Sequence, residues 1–322
     1  MAGRGGRRVL PAMPQAKPAA EDAAVAQVTA RLSAEFVLRA FQVLVDVYGD
    51  IRAGLFVHAI NIANLAHIDP QADEIRQAAG PSGVLPDEMR RPISVARLAD
   101  ASGLPFESAR RAVQQLISVG ACERVPGGVI IPGAVVARPE NLRGVVVNLG
   151  NVRKFMRDLH AAGVIDHVPA SLAVAAGEDG TAAARLVARQ TSEYVQQALR
   201  LLADTYVDTR AGVVAQTIVA ANTAYLDTRG GEGWRYARID EAPPDEARRP
   251  ISIGRVAESL GLPYETTRRY VARLLETKVC VRVRGGVIVP RAVLDGPRAV
   301  RATLANVGYV RKFARELDAA PV

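Results

Sequence analysis

The chain has 322 residues, of which 49% are hydrophobic and 5% aromatic, and its formal net charge is +8. This much apolar sequence is ample for two hydrophobic cores, and the positive charge modestly favours a nucleic acid as partner. The longest apolar stretch, residues 53–68, holds two histidines and two asparagines, so it is too short and too polar to cross a bilayer. Composition therefore predicts a cytoplasmic protein without a membrane segment.

Cysteine and histidine usage bears on metal sites and on the redox compartment. Cys122 and Cys280 lie in apolar, strand-like runs, which is typical of buried thiols in a reducing compartment. The four histidines have no metal-like spacing with cysteines or carboxylates. No nucleophile–base pair, phosphate-binding glycine loop or catalytic pair of carboxylates is recognisable. The sequence therefore predicts no metal, no cofactor and no enzymatic activity.

In chain order, residues 1–20 form a basic stretch rich in Gly, Pro and Ala, which predicts a disordered tail and not a signal peptide. Beyond it the chain repeats at an offset of 158 residues without insertion or deletion. Between residues 34 and 162, roughly 57 of about 129 positions are identical to their partners, far above chance. We therefore predict an internal duplication, with an N-terminal half (21–162), a linker (163–178) and a C-terminal half (179–320).

The same plan is predicted for both halves. Each begins with a helical part, residues 21–68 and 181–226, where apolar residues recur at helical spacing. Each ends in a C-terminal helix, residues 139–161 and 297–319. A basic V-R-K-F sequence in that last helix could contact DNA or simply face water while its Val and Phe pack.

Two features of the helical parts are interpreted as structural. A D-x-R-A-G sequence interrupts each part, and an Asp–Arg pair that stabilises a helix junction is favoured over a ligand contact. Asn64 and Asn222 lie on apolar helices, so we expect them to be buried and hydrogen-bonded. The residues of the D-x-R-A-G sequences are Asp50, Arg52 and Gly54 in the first half and Asp208, Arg210 and Gly212 in the second.

Between these helical regions, residues 89–132 and 247–290 have the pattern of a winged helix-turn-helix. Ser94 is a good N-cap for a helix over residues 95–101 that stops at Gly103. A second helix over about 106–119 follows, and two β-rich runs joined by a Gly-Gly pair predict a hairpin. The predicted fold class is therefore mainly α with small β-hairpin wings, an internally duplicated tandem winged helix-turn-helix with accessory helices.

The second helix of each motif divides into an apolar and a polar arc at 100° per residue. In the first half the polar arc carries Glu107, Ser108, Arg110, Arg111, Gln114, Gln115 and Ser118. In the second half it carries Glu265, Thr266, Arg268, Arg269, Arg273 and Glu276. A solvated helix face would show the same pattern, but its recurrence in both halves favours a binding surface.

The motif residues GLPFESARRAVQQLISVG and GLPYETTRRYVARLLETK, each followed by a Gly-rich hairpin, resemble the DNA-binding domains of IclR-type transcription regulators. The resemblance covers about 45 residues per half and does not extend to that family's effector domain. It implies that the second helix enters the major groove, where arginine can pair with guanine and glutamine with adenine. The residues that would face the bases are Ser108, Arg110, Arg111, Gln114 and Gln115, with Thr266, Arg268, Arg269 and Arg273.

The resemblance also implies phosphate contacts from the wing and from the segment before the first helix. The residues suited to phosphate are Arg90, Arg91 and Arg124, with Arg248, Arg249, Arg282 and Arg284. Residues 247–291 hold ten Lys+Arg against three Glu, whereas residues 89–133 hold six Arg against three acids. We therefore expect the C-terminal half to dominate the electrostatic part of binding.

The favoured hypothesis is a sequence-specific, double-stranded-DNA-binding transcriptional regulator, cytoplasmic and associated with the nucleoid. One alternative is an architectural or chromosome-segregation protein whose winged helices bind a protein partner. Another is a plasmid- or phage-type replication initiator. The helical regions offer a surface for a homo-oligomer, and a small-molecule effector is left open.

Overall fold

The computed structural model describes residues 20–69, 72–80, 82–102, 105–174, 181–206, 208–226 and 235–319. Three parts of the predicted organisation lie outside these ranges. They are residues 1–19 of the basic tail, residues 103–104 at the predicted turn, and residues 175–178 of the linker. The helices are α1 (Ala20–Tyr48), α2 (Ile51–Leu65), α3 (Asp73–Ala79), α4 (Val95–Ser102), α5 (Phe106–Ser118), α6 (Gly133–Val136), α7 (Pro139–Ala161), α8 (Ser171–Val174), α9 (Thr181–Thr205), α10 (Thr209–Thr223), α11 (Ile253–Leu260), α12 (Tyr264–Glu276), α13 (Arg291–Leu294) and α14 (Pro297–Asp318). The strands are β1 (Glu123–Val125), β2 (Gly128–Ile130), β3 (Val281–Val283) and β4 (Gly286–Ile288).

The described chain is mainly helical and contains two small antiparallel hairpins, which confirms the predicted class at that level. The bounds of α2, α4, α5 and the four strands match those of α10, α11, α12 and their partners at an offset of 158 residues. Within the described ranges, no helix is long and apolar enough to cross a membrane.

The four long helices α1, α7, α9 and α14 pack into one bundle. Its centre holds four aromatic rings, in which Phe36 stacks on Phe155 at 4.4 Å between centroids and Tyr194 stacks on Phe313 at 5.2 Å. Each stack lies within one half, but the two stacks touch, with 6.0 Å between the Phe36 and Tyr194 centroids. The four long helices therefore share one hydrophobic core. The amount of apolar sequence would have been sufficient for two separate cores.

Buried polar side chains also join the two halves across the bundle. Asn148 donates from Nδ2 to Oγ1 of Thr191 at 3.1 Å, and Asn306 donates to Oγ of Ser33 at 2.9 Å. Tyr194 completes this network by donating its hydroxyl to Oδ1 of Asn306 at 3.1 Å. A buried amide needs such partners, so these bonds fix the register of one half against the other.

The first helix of each half also holds a loop of the opposite half. Arg31 on α1 donates to the carbonyl of Tyr236 at 2.6 Å. Arg189 on α9, at the corresponding position, donates to the carbonyls of Leu65 and Ile68 at 3.0 and 2.9 Å. The halves are therefore interlocked and not merely adjacent.

The first part of the predicted linker, residues 163–174, packs onto the bundle. Val164 and Leu172 are buried. Arg153 donates from Nε to the carbonyl of Leu172 at 2.9 Å, and Arg311 donates to that of Val164 at 3.1 Å. The arginines of the two V-R-K-F sequences thus anchor the connection between the halves.

We call residues 95–130 (α4, α5, β1, β2) and 253–288 (α11, α12, β3, β4) the N- and C-terminal helix–hairpin units. Ser94 Oγ accepts from the backbone N–H of Arg97 at 3.3 Å, as predicted for an N-cap. The hairpin turn differs slightly from the prediction, because Gly128 pairs with Val125 inside the ladder and only Gly127 of the Gly-Gly pair lies in the turn. Gly128 cannot carry a side chain, since a Cβ there would lie 2.2 Å from the carbonyl oxygen of Ile93.

One asparagine in each half is buried and hydrogen-bonded, as predicted, and its bonds tie the hairpin to the helix behind it. Asn64 donates to the carbonyls of Arg91 and Val129 at 2.8 and 3.1 Å and accepts from the N–H of Ile131 at 3.0 Å. Asn222 makes the same three bonds 158 residues later. Both side chains are fully buried.

The two units differ in how they attach to the bundle. Buried residues of the C-terminal unit, including Val256, Leu260 and Val271, belong to the bundle core. Buried residues of the N-terminal unit, including Leu98 and Val113, form a separate cluster with α2. The described chain is therefore asymmetric at this level.

Candidate nucleic-acid interface

The polar arc of α5 faces solvent, as the helical spacing predicts. Ala109, Val113 and Leu116 are buried beneath the helix. All five residues proposed to face the bases in this half are exposed, namely Ser108, Arg110, Arg111, Gln114 and Gln115. One continuous polar surface of donors and acceptors results.

The arc of α12 is similar but carries one more arginine and one more glutamate. Arg268, Arg269 and Arg273 are exposed, whereas Thr266 is half-buried. Thr267, Val271 and Leu274 are buried on the opposite side. Both helices begin directly after a proline, whose side chain cannot accept a hydrogen bond from the first N–H groups of the helix.

Several arc residues are already engaged with one another. Arg110 pairs with Glu107 at 3.0 Å and donates to Oε1 of Gln114 at 3.1 Å, and Arg268 pairs with Glu265 at 2.9 Å. The hydrogen bond from Arg110 lowers the pKa of the Glu107 carboxyl. Exposed pairs of this kind contribute little to stability, so the guanidinium groups can be redirected to another partner at little cost.

Arg273 is held differently, by the D-x-R-A-G sequence of its half. It pairs with Asp208 at 2.6 Å, and Asp208 also caps α10 by accepting from the N–H of Ala211 at 2.9 Å. In the first half, Asp50 instead pairs with Arg52 at 3.0 Å. The favoured interpretation of an Asp–Arg pair at the helix junction therefore fits Asp50, whereas Asp208 reaches across to α12.

The hairpins present further exposed arginines. Arg124 lies in β1 and Arg282 in β3, while Arg284 lies in the turn between β3 and β4. In the described ranges, no ion pair involves these three residues, Arg111 or Arg269. Their charges are therefore available to a partner from outside the chain.

Arg90 and Arg248 correct the predicted phosphate contacts. Their exposed fractions are 5% and 4%, and each guanidinium pairs with the aspartate three residues earlier, at 3.1 Å for Asp87 and 3.4 Å for Asp245. Burial lowers the pKa of both guanidinium groups. Because these side chains point into the fold, they cannot contact phosphate.

Their neighbours Arg91 and Arg249 are exposed, so a phosphate contact by these two stays a prediction. Arg249 lies over the ring of Tyr225, with its guanidinium carbon 4.4 Å from the ring centroid. Arg255, which sequence reasoning missed, lines the same shallow cleft of about 550 Å³ as Arg249. A helical wheel of α11 could have indicated it, because Arg255 lies away from the face formed by the buried Val256, Ala257 and Leu260.

Two exposed aromatic residues were also missed. Phe106 opens α5 and Tyr264 opens α12, 158 residues apart, with exposed fractions of 49% and 52%. Single exposed apolar side chains are ordinary in folded proteins, so these two are notable only because they recur at equivalent positions. The signal in the sequence was an aromatic residue at the same position of both halves.

Cys122 and Cys280 are free and buried, as predicted. Burial raises the pKa of each thiol to about 11, so neither is a nucleophile at neutral pH.

No protein-family model matches the chain, and no curated protein or solved structure matches it either.

Proposed function

We propose that the protein is a sequence-specific, double-stranded-DNA-binding transcriptional regulator that arose by internal duplication. In this proposal residues 89–132 and 247–290 are winged helix-turn-helix units of the IclR type, α5 and α12 are the recognition helices, and the protein lies with the nucleoid. The observation that carries the proposal is the exposed, arginine-bearing polar arc that occurs on both helices beside a hairpin with exposed arginines.

The chemistry of the arcs supports reading of bases as well as charge. Arg111 and Arg269 combine exposure with freedom from ion pairs in the described ranges, and arginine is the commonest partner of guanine in the major groove. Gln114 and Gln115 supply amides of the type that pair with adenine. Arg91, Arg124, Arg249, Arg282 and Arg284 supply phosphate contacts, which set register without reading sequence.

The shared bundle supports the binding of one asymmetric site by one chain. The helical parts that were expected to offer an oligomer surface pack against each other within the chain. Because the two units are fixed on one body, they can meet the same face of the duplex only if their half-sites lie about one helical turn, or a multiple of it, apart. A single chain would thus bind both half-sites, as a dimer does in other regulators.

Genome-wide immunoprecipitation with sequencing tests the proposal most directly. Sharp peaks that share a bipartite motif support a regulator. Broad occupancy would replace it with an architectural role, and no enrichment over a mock precipitation would replace it with a protein-binding role. A matched strain that carries Arg111→Ala and Arg269→Ala should lose the peaks while protein abundance is unchanged.

A further inference from the structure

A large cleft separates the N-terminal helix–hairpin unit from the bundle. Its volume is about 1640 Å³, and residues of α2 and α4 on one side and of α9 and α10 on the other contribute to its lining. Many lining residues are apolar and only half-buried, among them Leu55, Ile62 and Leu186. Small-molecule sites are typically apolar clefts of roughly 300–1,000 Å³ with a few polar groups, so this space is large enough for one.

The corresponding region of the C-terminal half is filled. Leu260 at the end of α11 and Phe41 on α1 are each 1% exposed, and both belong to the bundle core. Gly261 fits so closely against Val45 that a Cβ there would lie 3.0 Å from a methyl group of that valine. The C-terminal unit is thus packed directly against α1.

The cleft has its origin in three substitutions between equivalent positions. Leu199 stands where the other half has Phe41, Ala203 where it has Val45, and Ser102 where it has Leu260. All three smaller residues line the cleft. The cleft is therefore lined by smaller side chains at positions where the filled region has larger ones. The described part of α4 does not pack against α9 as closely as α11 packs against α1.

The polar pair of His58 and Ser192 lines the cleft and leaves one acceptor without a partner among the described residues. Nδ1 of His58 lies 2.7 Å from Oγ of Ser192, and that hydroxyl donates to the carbonyl of Ala188 at 2.9 Å. Because the hydroxyl proton is committed to Ala188, Nδ1 carries the imidazole proton and Nε2 is left as an acceptor. Burial lowers the pKa of His58 to about 4, so the ring is neutral at neutral pH. The equivalent residue of the filled half is Gln216.

We propose that this cleft binds a neutral, largely apolar small molecule that donates one hydroxyl hydrogen bond to Nε2 of His58. The apolar walls favour a hydrocarbon body, and an acceptor nitrogen favours a hydroxyl over a carboxylate, which has no proton to donate to it. Arginines also line the cleft, among them Arg52, Arg185 and Arg189, and each of these three is paired with an oxygen atom of the chain. The proposal is independent of DNA binding, because no residue of the candidate interface takes part except the half-buried Thr266 at the margin of the cleft.

Titration of the full-length protein with Nile red, a neutral apolar fluorophore, tests the site. We expect a blue-shifted, saturable signal with one site per chain. The isomers 1-decanol and methyl nonyl ether differ in the hydroxyl donor, and we expect the alcohol to displace the dye at roughly five- to tenfold lower concentration, the effect of one hydrogen bond. Decanoate should compete less well than the alcohol. Failure of the dye to bind overturns the proposal, and equal competition by the isomers overturns its hydroxyl component.

Variants that copy the filled half localise the binding. Leu199→Phe with Ala203→Val, and separately Ser102→Leu, should weaken Nile red binding at least tenfold and raise the melting temperature, since filling a void is stabilising. Val147→Phe, a similar enlargement at an exposed position of α7, is the control and should change neither. His58→Phe should retain the dye but lose the preference for the alcohol. If both filled variants bind the dye as tightly as the wild type does, the dye binds elsewhere and the proposed site is refuted.

Discussion

Asn222 shows how a single side chain can hold a hairpin in place. Its amide donates to the carbonyls of Arg249 and Val287 and accepts from the N–H of Val289, all in a fully buried position. An unmade hydrogen bond in such a place costs the desolvation of the group left behind. Asn64 plays the same part in the first half, so each hairpin depends on one residue of the helix behind it.

Asn222→Ala should therefore lower the free energy of unfolding by about 2–4 kcal/mol, because the N–H of Val289 loses its partner and a void opens. Urea denaturation measures this. Gln115→Ala on the exposed arc of α5 is the control and should change stability by less than about 0.5 kcal/mol. If the two variants are equally stable, the asparagine bonds are not what secures the hairpin.

The neighbours Arg90 and Arg91 differ only in where the backbone points them. Arg90→Gln should destabilise the protein by about 1–3 kcal/mol, since Asp87, Asn61 and the carbonyl of Leu85 lose a donor. Arg91→Gln should leave stability unchanged and reduce the slope of log K against log[salt] for duplex DNA by about 1. Thermal melting and fluorescence anisotropy at several salt concentrations distinguish the two, and the reverse pattern would contradict the burial of Arg90.

His58 makes stability depend on pH. Its folded pKa, about 4, lies below the value of about 6.5 in an unfolded chain, so the unfolded state binds the proton more readily. The contribution of the neutral ring is complete above about pH 6.5 and is lost as the pH falls from there toward 4. His58→Gln, which copies Gln216, should have a flatter melting-temperature profile between pH 7 and 4 than the wild type. Parallel profiles would show that the fold does not lower the pKa of His58.

At the level of elements, the hairpin of the C-terminal half combines a rigid base with a cationic edge. Val287 and Ile288 of β4 are buried, while Arg282 and Arg284 on the other arm and turn are exposed. A short, charged hairpin cannot readily pair with another chain, and its arginines are well placed for a phosphate backbone in the proposed complex.

Arg282→Ala with Arg284→Ala should weaken binding to all duplex sequences alike and reduce the salt slope by up to about 2. Arg157→Ala with Arg315→Ala, which removes two exposed cations of α7 and α14 outside both units, is the control for the loss of two positive charges. An unchanged slope in the hairpin variant would remove this hairpin from the phosphate contacts, and an equal loss in both would indicate non-specific steering.

At the scale of the whole molecule, the halves depend on each other through the bundle. Phe155 stacks on Phe36 and lies 6.0 Å, centroid to centroid, from Tyr194 of the other half. Phe155→Ala should cost about 3–5 kcal/mol and should lower hydrogen-exchange protection in α12 as well as in α1, since Val271 and Leu274 of α12 belong to the same core. Val147→Ala, exposed on the same helix, should do neither. Loss of protection confined to the first half would show two independent folding units.

The sequence alone determined the local elements of this protein. The 100° spacing of Ala109, Val113 and Leu116 requires a helix with one buried face, and it placed the polar arc correctly. The Gly-Gly pair located both hairpins, because only glycine tolerates the approach of Ile93 at Gly128. The two asparagines were recognisable as buried polar residues since each lies within an apolar helix. All of these depend on interactions over a few residues or on a periodicity that the chain displays directly.

The tertiary structure decided what depends on distant contacts. Arg90 and Arg91 are chemically identical in the sequence, and only the position of Asp87 and α2 buries one and exposes the other. The shared bundle follows from the packing of α1 and α7 against α9 and α14, and an amphipathic helix does not specify which apolar face it meets. The cleft is lined by Leu199 and Ala203 of one half and by Ser102 of the other, so it forms only where the two halves meet. Each is an ordinary substitution by itself, and the space they leave is a property of their combined volume in three dimensions.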